Sequence, residues 1–429
     1  MKHIYIYNET EKNMTAIVGV LNKHAVAIAA DSAVTMGNTH KVVNSANKIF
    51  TLSKYQLVAV MTYSSASFMG VPWDIIIKEY RKQLRDGSFP KLENYVNDFI
   101  EYLRSKQFFC DEKNQKKYFE WMLDSFFDIC CNEACNENRI VDRRTLTAMQ
   151  IEQKFSNCLN SYKPAEKCPD FKTYAYEDFK NFTKSIIQDF AKEKGVTNVD
   201  LLSETFFYYL SVKTRTYSYT GLVFTGYGEE EIYPSLIPLN VSPLTVDDHL
   251  KFFVDQNNIA QISENGSMAV ICPFAQTDVI QTIIRGINPS FQDIIYNVID
   301  KSIVSYTDAI TGILDKNPST IAMTTAVKKL DKKSVIDGIT SQINREMFNL
   351  YAKPLIDTVA LLDKEDMANM AESFISLTSL VRRMQPGEET VGGPVDVAVI
   401  SKGDGFVWIN RKHYFKPELN ASYLCNYFK

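Results

Sequence analysis

The sequence predicts an α+β fold in which antiparallel sheets are layered against helices. Two observations predict it. Paired β-rich runs open the chain, return in its middle and close it, and stretches with helical spacing separate these pairs. That order argues for α+β layering and against a repeating βαβ unit. At 429 residues the chain is long for one compact domain and suggests two or three structural units.

The elements follow in order. Residues 15–32 read TAIVGVLNKHAVAIAADS, two β-rich runs flanking Asn22, Lys23 and His24, which is a hairpin signal. A second pair, KVVNSANKIFTL and QLVAVMTY, turns at Ser53, Lys54 and Tyr55, so four antiparallel strands are expected at the start. AVAIAA is apolar on both faces, which predicts a sheet covered on both sides. Pro72 suits the first position of a helix over WDIIIKEYRKQLRDG, where Ile75, Ile76, Tyr80 and Leu84 follow helical spacing. A second helix is expected over LENYVNDFIEYLRSK.

From about 105 to 215 the segments KKYFEWMLDSFFDICCNEA and YEDFKNFTKSIIQDFAKEKG look helical, with a looser stretch near NSYKPAEKCPD. Strands resume with YTGLVFTGYG and EIYPSLIPLNV, joined near Gly228, Glu229 and Glu230. Another pair, LKFFVDQ and NIAQISE, precedes a turn signal at Asn265 and Gly266. Helices are expected from about 276 to 355 and over KEDMANMAESFISLTSLVRRM. The closing pair is VDVAVIS and GFVWINRK, around Lys402, Gly403, Asp404 and Gly405.

Composition excludes several functions. Net charge is −4 and no basic stripe is present, so a nucleic-acid partner is not expected. No apolar run reaches the roughly 18 residues of a membrane span. The opening MKHIYIYNETEKNM has no apolar h-region or small-residue cleavage site, so a cytoplasmic protein is expected. The eight cysteines form no CxxC pair and the five histidines do not cluster, which reads as thiols in a reducing compartment without a metal site.

The stretch TAIVGVLNKHAVAIAADSAVTMGN, then ANKIF, then QLVAVMT, resembles the opening of proteasome β-subunits and their bacterial relatives. Thr15, four residues before Gly19, stands where that family has its nucleophilic threonine. Asp31 ends the second strand, at the family's acidic position. Lys48 takes the place of the active-site lysine, with one extra residue in the preceding loop. GLVFTGYGEEEIYPSLIPLNV is similar to the family's mid-chain hairpin and GGPVDVAVISKGDGF to its closing strand pair. Departures occur late. Glu388 or Glu389 stands for the family's second acid, Val391 lies where a serine is expected, and Cys272-Pro273-Phe274 takes the place of a glycine-serine turn.

The resemblance implies a four-layer αββα N-terminal-nucleophile (Ntn) hydrolase sandwich of two antiparallel sheets. It divides the chain into an extension or propeptide over 1–14, core parts over 15–104, 217–286 and 356–429, and helical insertions over 105–216 and 287–355. It also implies catalytic roles for Thr15, Asp31, Lys48, Thr62 and Glu388. A threonine hydroxyl needs a neighbouring base, and a free α-amino group of pKa about 7.7–8 on the same residue can be one. A buried lysine beside it lowers both pKa values by like-charge repulsion, an aspartate offsets that lysine, and a backbone N–H near Thr62 serves as oxyanion donor. The chain must then be cut between Met14 and Thr15. No cofactor is needed. The expected partners are a peptide or small amide substrate, and a second copy or another protein docked through the insertions. The alternative is a catalytically inactive proteasome-like scaffold or partner-binding protein.

Overall fold

The computed structural model describes residues 15–36, 41–52, 56–105, 111–316, 319, 321–385, 391–413, 415, 416, 419, 420 and 422. The extension over 1–14, Glu388, Glu389 and the Ser53–Tyr55 turn lie outside them. The first third contains β1 (Ala16–Asn22), β2 (Val26–Ala30), β3 (Val34–Met36), β4 (Lys41–Val43), β5 (Ile49–Thr51), β6 (Val58–Ser64), β7 (Ser67–Phe68) and β8 (Val71–Pro72). Helices α1 (Trp73–Leu84), α2 (Leu92–Ser105), α3 (Glu112–Asn138), α4 (Ala148–Tyr162), α5 (Tyr176–Lys194) and α6 (Val199–Ser211) follow. Strands return as β9 (Thr220–Gly226), β10 (Ser235–Val246), β11 (His249–Val254), β12 (Ala260–Gln261) and β13 (Ala269–Ala275). Then come α7 (Asp278–Arg285), α8 (Pro289–Leu314), α9 (Ile321–Lys328), α10 (Lys332–Met347), α11 (Lys353–Val359), α12 (Lys364–Met384), β14 (Asp396–Ser401) and β15 (Gly405–Asn410).

The architecture is α+β with antiparallel sheets. One sheet runs β13-β1-β2-β14-β15, the other β11-β10-β9-β6-β5, with β12 also on β10. The period of two along β1 explains how they pack. Ile17 and Leu21 point to one side, where they meet Met61, Val223 and Leu236 of the second sheet. Ala16, Val18 and Val20 point to the other, against Met367, Ala371 and Ile375 of α12. Both faces of β1 are therefore covered, and every residue of the strand is buried. Gly19 sits on the inter-sheet side, and a Cβ there would stand 2.9 Å from Leu236 Cδ1. The second sheet turns its outer face to α1 and α2 through Trp73, Tyr80 and Phe99.

Helices α3 to α6 enclose an aromatic core of their own, with Phe119, Phe126, Phe155, Phe179 and Phe206 buried, joined to the tip of β10 by Leu244 and Val246. Buried side chains of this size contribute about 1.5–3 kcal/mol each. In contrast, α8 buries only Gln292 and Thr311 along 26 residues, and α10 buries none.

Five expectations need correcting. The opening strands do not form one ladder: β1 pairs β2 in the first sheet, while β5 pairs β6 in the second. The run KVVNSANKIFTL splits, and its first part, β4, pairs β3. β11 and β12 do not pair with each other; both lie on β10, because Asp255 N donates to Pro238 O and a tight turn over Gln256–Asn258 carries the chain back along that strand. Cys272, Pro273 and Phe274 are not a turn but the middle of β13, with Cys272 opposite Gly19. Pro72 is the residue before α1, not its first turn.

Lys251 is a buried cation on β11 whose Nζ donates to Tyr209 O at 2.6 Å. Burial lowers its pKa to about 8. Between that value and the ordinary 10.5, the unfolded chain binds a proton that the folded chain does not, so folding stability gains with rising pH. Lys251→Met should accordingly raise stability at pH 7 by about 1–3 kcal/mol, and the advantage should fade between pH 8 and 10.5. Urea titrations of both proteins across that range check it.

Candidate active site

The site forms where the start of β1, the end of β2 and the start of β5 converge. Asp31 follows β2, and its carboxylate is held on four sides. Oδ1 accepts from Lys48 Nζ at 2.7 Å and from Ala16 N at 2.9 Å. Oδ2 accepts from Ala33 N at 3.0 Å and Gly392 N at 3.4 Å. The Ala16 contact ties the acid to the residue next to Thr15. Asp31 N also donates to Ala16 O, so the β1–β2 pairing continues to the site.

Lys48 is 3% exposed and donates a second hydrogen bond to Ala33 O at 2.6 Å. Burial holds its ammonium pKa below the ordinary lysine value, and the Asp31 charge works against that fall. A second buried pair, Lys412 with Asp396, acts on Lys48 from further away, the lysine lowering and the aspartate raising its pKa. Asp396 opens β14 opposite Ala30, one residue before Asp31. Sequence reasoning passed over this pair, since neither residue carries a motif and the two lie sixteen positions apart.

Thr15, Lys48 and Thr62 line one cavity of about 270 Å³, together with Ser64, Trp73 and Asp74. Thr15 is 5% exposed, and its carbonyl accepts from Gln276 N at 3.1 Å. That places the turn between β13 and α7 against the first core residue. Arg382 of α12 fixes the turn by donating to the side chains of Gln276 and Asp278. Four of the five expected site residues thus come together, and Glu388 falls outside the described residues.

The role expected at Thr62 needs correcting. Its N–H donates to Lys48 O at 2.9 Å, as part of the β5–β6 ladder, and is not free for an oxyanion. Two residues on, where β6 ends, Ser64 has φ +68, a left-handed backbone that costs an L-residue about 1–2 kcal/mol. Ser64→Gly should relieve it and stabilise the fold by about 0.5–1 kcal/mol after the added flexibility of the unfolded chain is subtracted. A denaturant midpoint checks this.

Val391, where a serine was expected, is buried, and its carbonyl accepts from Ser379 Oγ at 3.3 Å. The adjacent Gly392 serves the site through its backbone, donating to Asp31 and accepting from Ser32 N at 3.1 Å. The closing GGPV segment is therefore fastened to the acid itself. Among the described residues, no group of three or more His, Cys, Asp or Glu side chains is placed to hold a metal ion, and no helix is long and apolar enough to cross a membrane.

No protein-family model matches the chain, and no curated protein matches it. Among solved structures, the chain is similar to the Anbu complex from Pseudomonas aeruginosa, described as a helical assembly, at 9% identity over 96% of this chain and 94% of that one, with a TM-score of 0.31. It is similar to a Gly-1 mutant of Anbu from Hyphomicrobium sp. strain MC1 at 8% identity over 96% and 94%, with a TM-score of 0.29. It is also similar to Anbu, an ancestral beta-subunit, from Yersinia bercovieri at 8% identity over 96% and 94%, with a TM-score of 0.26.

Proposed function

We propose that the chain is a threonine-type Ntn hydrolase of proteasome-like build, cleaving amide bonds through an acyl-enzyme ester on Thr15 once residues 1–14 are removed. The observation that carries this reading is the buried Lys48–Asp31 ion pair beside Thr15, at the wall of a cavity that Thr15 itself lines. A buried cation is costly to keep, so one held next to a hydroxyl at a cavity wall is suited to activating that hydroxyl.

In this reading the Thr15 hydroxyl attacks the substrate carbonyl and gives its proton to its own α-amino group, freed by the cut. Lys48 keeps that amine from being protonated at neutral pH by like-charge repulsion. The developing oxyanion meets the N–H of Ser64, which lies on the same strand edge as the engaged Thr62 N–H and past the end of β5. The leaving amine takes the proton back, and water then hydrolyses the ester. The packing of α1 and α2 on one sheet and α12 on the other supports a four-layer αββα core over 15–104, 217–286 and 356–429. The separate aromatic core of α3–α6 supports reading 105–216 as an insertion, and the weak burial of α8 and α10 supports the same for 287–355.

A second reading, a non-catalytic scaffold, is favoured by one observation. Among the described residues Val391 brings only an apolar side chain to the place of the family's serine, so the late part of the catalytic set is incomplete. An electrophilic β-lactone that esterifies nucleophilic threonines separates the readings. The hydrolase yields an adduct mapped by peptide mass spectrometry to Thr15, and the scaffold yields none.

A further inference from the structure

A second ion pair lies behind the first. Asp396, at the start of β14, is 2% exposed, and its carboxylate accepts twice from Lys412. Lys412 N donates to Oδ1 at 2.9 Å, and Lys412 Nζ donates to Oδ2. Strand alternation sets where Asp396 points. Ala398 and Ile400 face the second sheet, while Val397 and Val399 face α12. Asp396, two residues before Ala398, therefore stands on the inter-sheet side. It lies opposite Ala30, whose successor is Asp31. With strands about 5 Å apart and a rise of about 3.3 Å per residue, the Cα atoms of the two aspartates are about 6 Å apart. Lys48 enters from the second sheet and reaches Asp31 and Ala33 O across the same space.

The chain just before Asp396 closes on the site. Gly392 N donates to Asp31 Oδ2 at 3.4 Å, Gly392 O accepts from Ser32 N at 3.1 Å, and Pro394 O accepts from Ser32 Oγ. The clamp of Lys412 on Asp396 fixes the far end of this short segment.

We propose that Asp396 and Lys412 are positioning residues of the threonine site, an outer ion pair that anchors the closing segment on Asp31 and balances the charge around Lys48 and the Thr15 amine. Its kinetic consequence rests on the hydrolase reading; its effect on Lys48 does not.

A buried charge roughly 8 Å away, the scale this spacing sets, is little screened by salt. At an effective permittivity of about 20 it moves a neighbouring pKa by about 1–1.5 pH units. While the pair is intact, its two charges oppose each other at Lys48, the lysine lowering and the aspartate raising the pKa there. Removing either charge leaves the other to act alone, so the two removals have opposite signs. Among the described residues, Asp31 supplies the remaining charge in contact with Lys48. Near Thr15, α1 brings Asp74 to the cavity, paired with Lys78, and α7 brings Asp278, paired with Arg382.

The test uses the full chain carrying Asp396→Asn, Lys412→Gln or both. Two readouts are taken: the midpoint of the acidic limb of kcat/KM on a fluorogenic amide, and the pH titration of Lys48 followed by NMR of 13Cε-labelled lysine, assigned by its loss in Lys48→Met. Asp396→Asn should move both midpoints down by about one pH unit, Lys412→Gln should move both up by about as much, and the double variant should return close to the parent. A purely structural pair would lower the rate in both single variants and leave the midpoints in place. Unmoved midpoints, or shifts of the same sign, overturn the proposal. Where Lys412→Gln does not fold, Asp396→Asn decides alone, since its midpoints must fall. A chain that hydrolyses no amide overturns the role of Thr15, and the Lys48 titration then still decides for or against the outer pair.

Discussion

Thr15→Ala is expected to abolish amide hydrolysis while leaving the fold intact. The side chain removed is the proposed nucleophile, so the loss should be at least about 10³-fold in kcat/KM. The backbone of residue 15 keeps its hydrogen bond, because the bond from Gln276 N goes to the carbonyl. The structural cost should therefore be small, limited to the Cγ methyl and hydroxyl at the cavity wall. Activity on a fluorogenic peptide or amide, followed alongside thermal unfolding, distinguishes this outcome. Unchanged activity would transfer the chemistry to another residue, and a scaffold would show no activity in either protein.

Asp31→Ala should have the largest effect on stability. The substitution leaves Lys48 as a buried charge without its partner, and three backbone N–H groups, of Ala16, Ala33 and Gly392, lose their acceptor. Breaking a buried pair in this way costs about 3–5 kcal/mol, a large part of a typical domain's total. The cost is expected to fall when the cation is removed as well. Asp31→Ala combined with Lys48→Met should be more stable than Asp31→Ala alone, because an apolar side chain replaces the stranded ammonium. The three orphaned N–H groups prevent full recovery. Chemical denaturation of the two single variants and the double variant measures the coupling directly. A double variant no more stable than Asp31→Ala would mean that the acid acts through its backbone contacts and not through Lys48.

Much of this arrangement can be read from particular residues. The β-rich runs TAIVGVL and AVAIAAD mark β1 and β2, and their apolar character on both faces reflects their cover by a sheet on one side and α12 on the other. Thr15, Asp31 and Lys48 stand at strand ends, and the pairing of β1 with β2 brings two of them together through local geometry. Lys48 required more. Its strand belongs to the other sheet, so its meeting with Asp31 depends on sheet-on-sheet packing that no local pattern specifies.

Other features were hidden for identifiable reasons. β13 contains Pro273, and proline in a run argues for a turn, yet β13 is an edge strand, where the missing N–H costs nothing. The shared pairing of β11 and β12 on β10 follows from the twelve-residue length of that strand, which leaves room for two partners. The engagement of the Thr62 N–H depends on the register between β5 and β6, which the sequence between the two runs does not reveal. The Lys412–Asp396 pair joins the start of β14 to the chain beyond β15 and lies within the frame of a hairpin whose register shifts between Val397 and Ala398.

The central claim is that residue 15 works as a chain-terminal threonine. The intact mass of the purified full-length protein, read with N-terminal sequencing, tests it most directly. The account predicts a species that has lost residues 1–14 and begins Thr15-Ala16-Ile17, formed more slowly or not at all in Thr15→Ala if the chain cuts itself. A protein that keeps Met14 joined to Thr15 in every preparation, and that takes no β-lactone on Thr15, would contradict it.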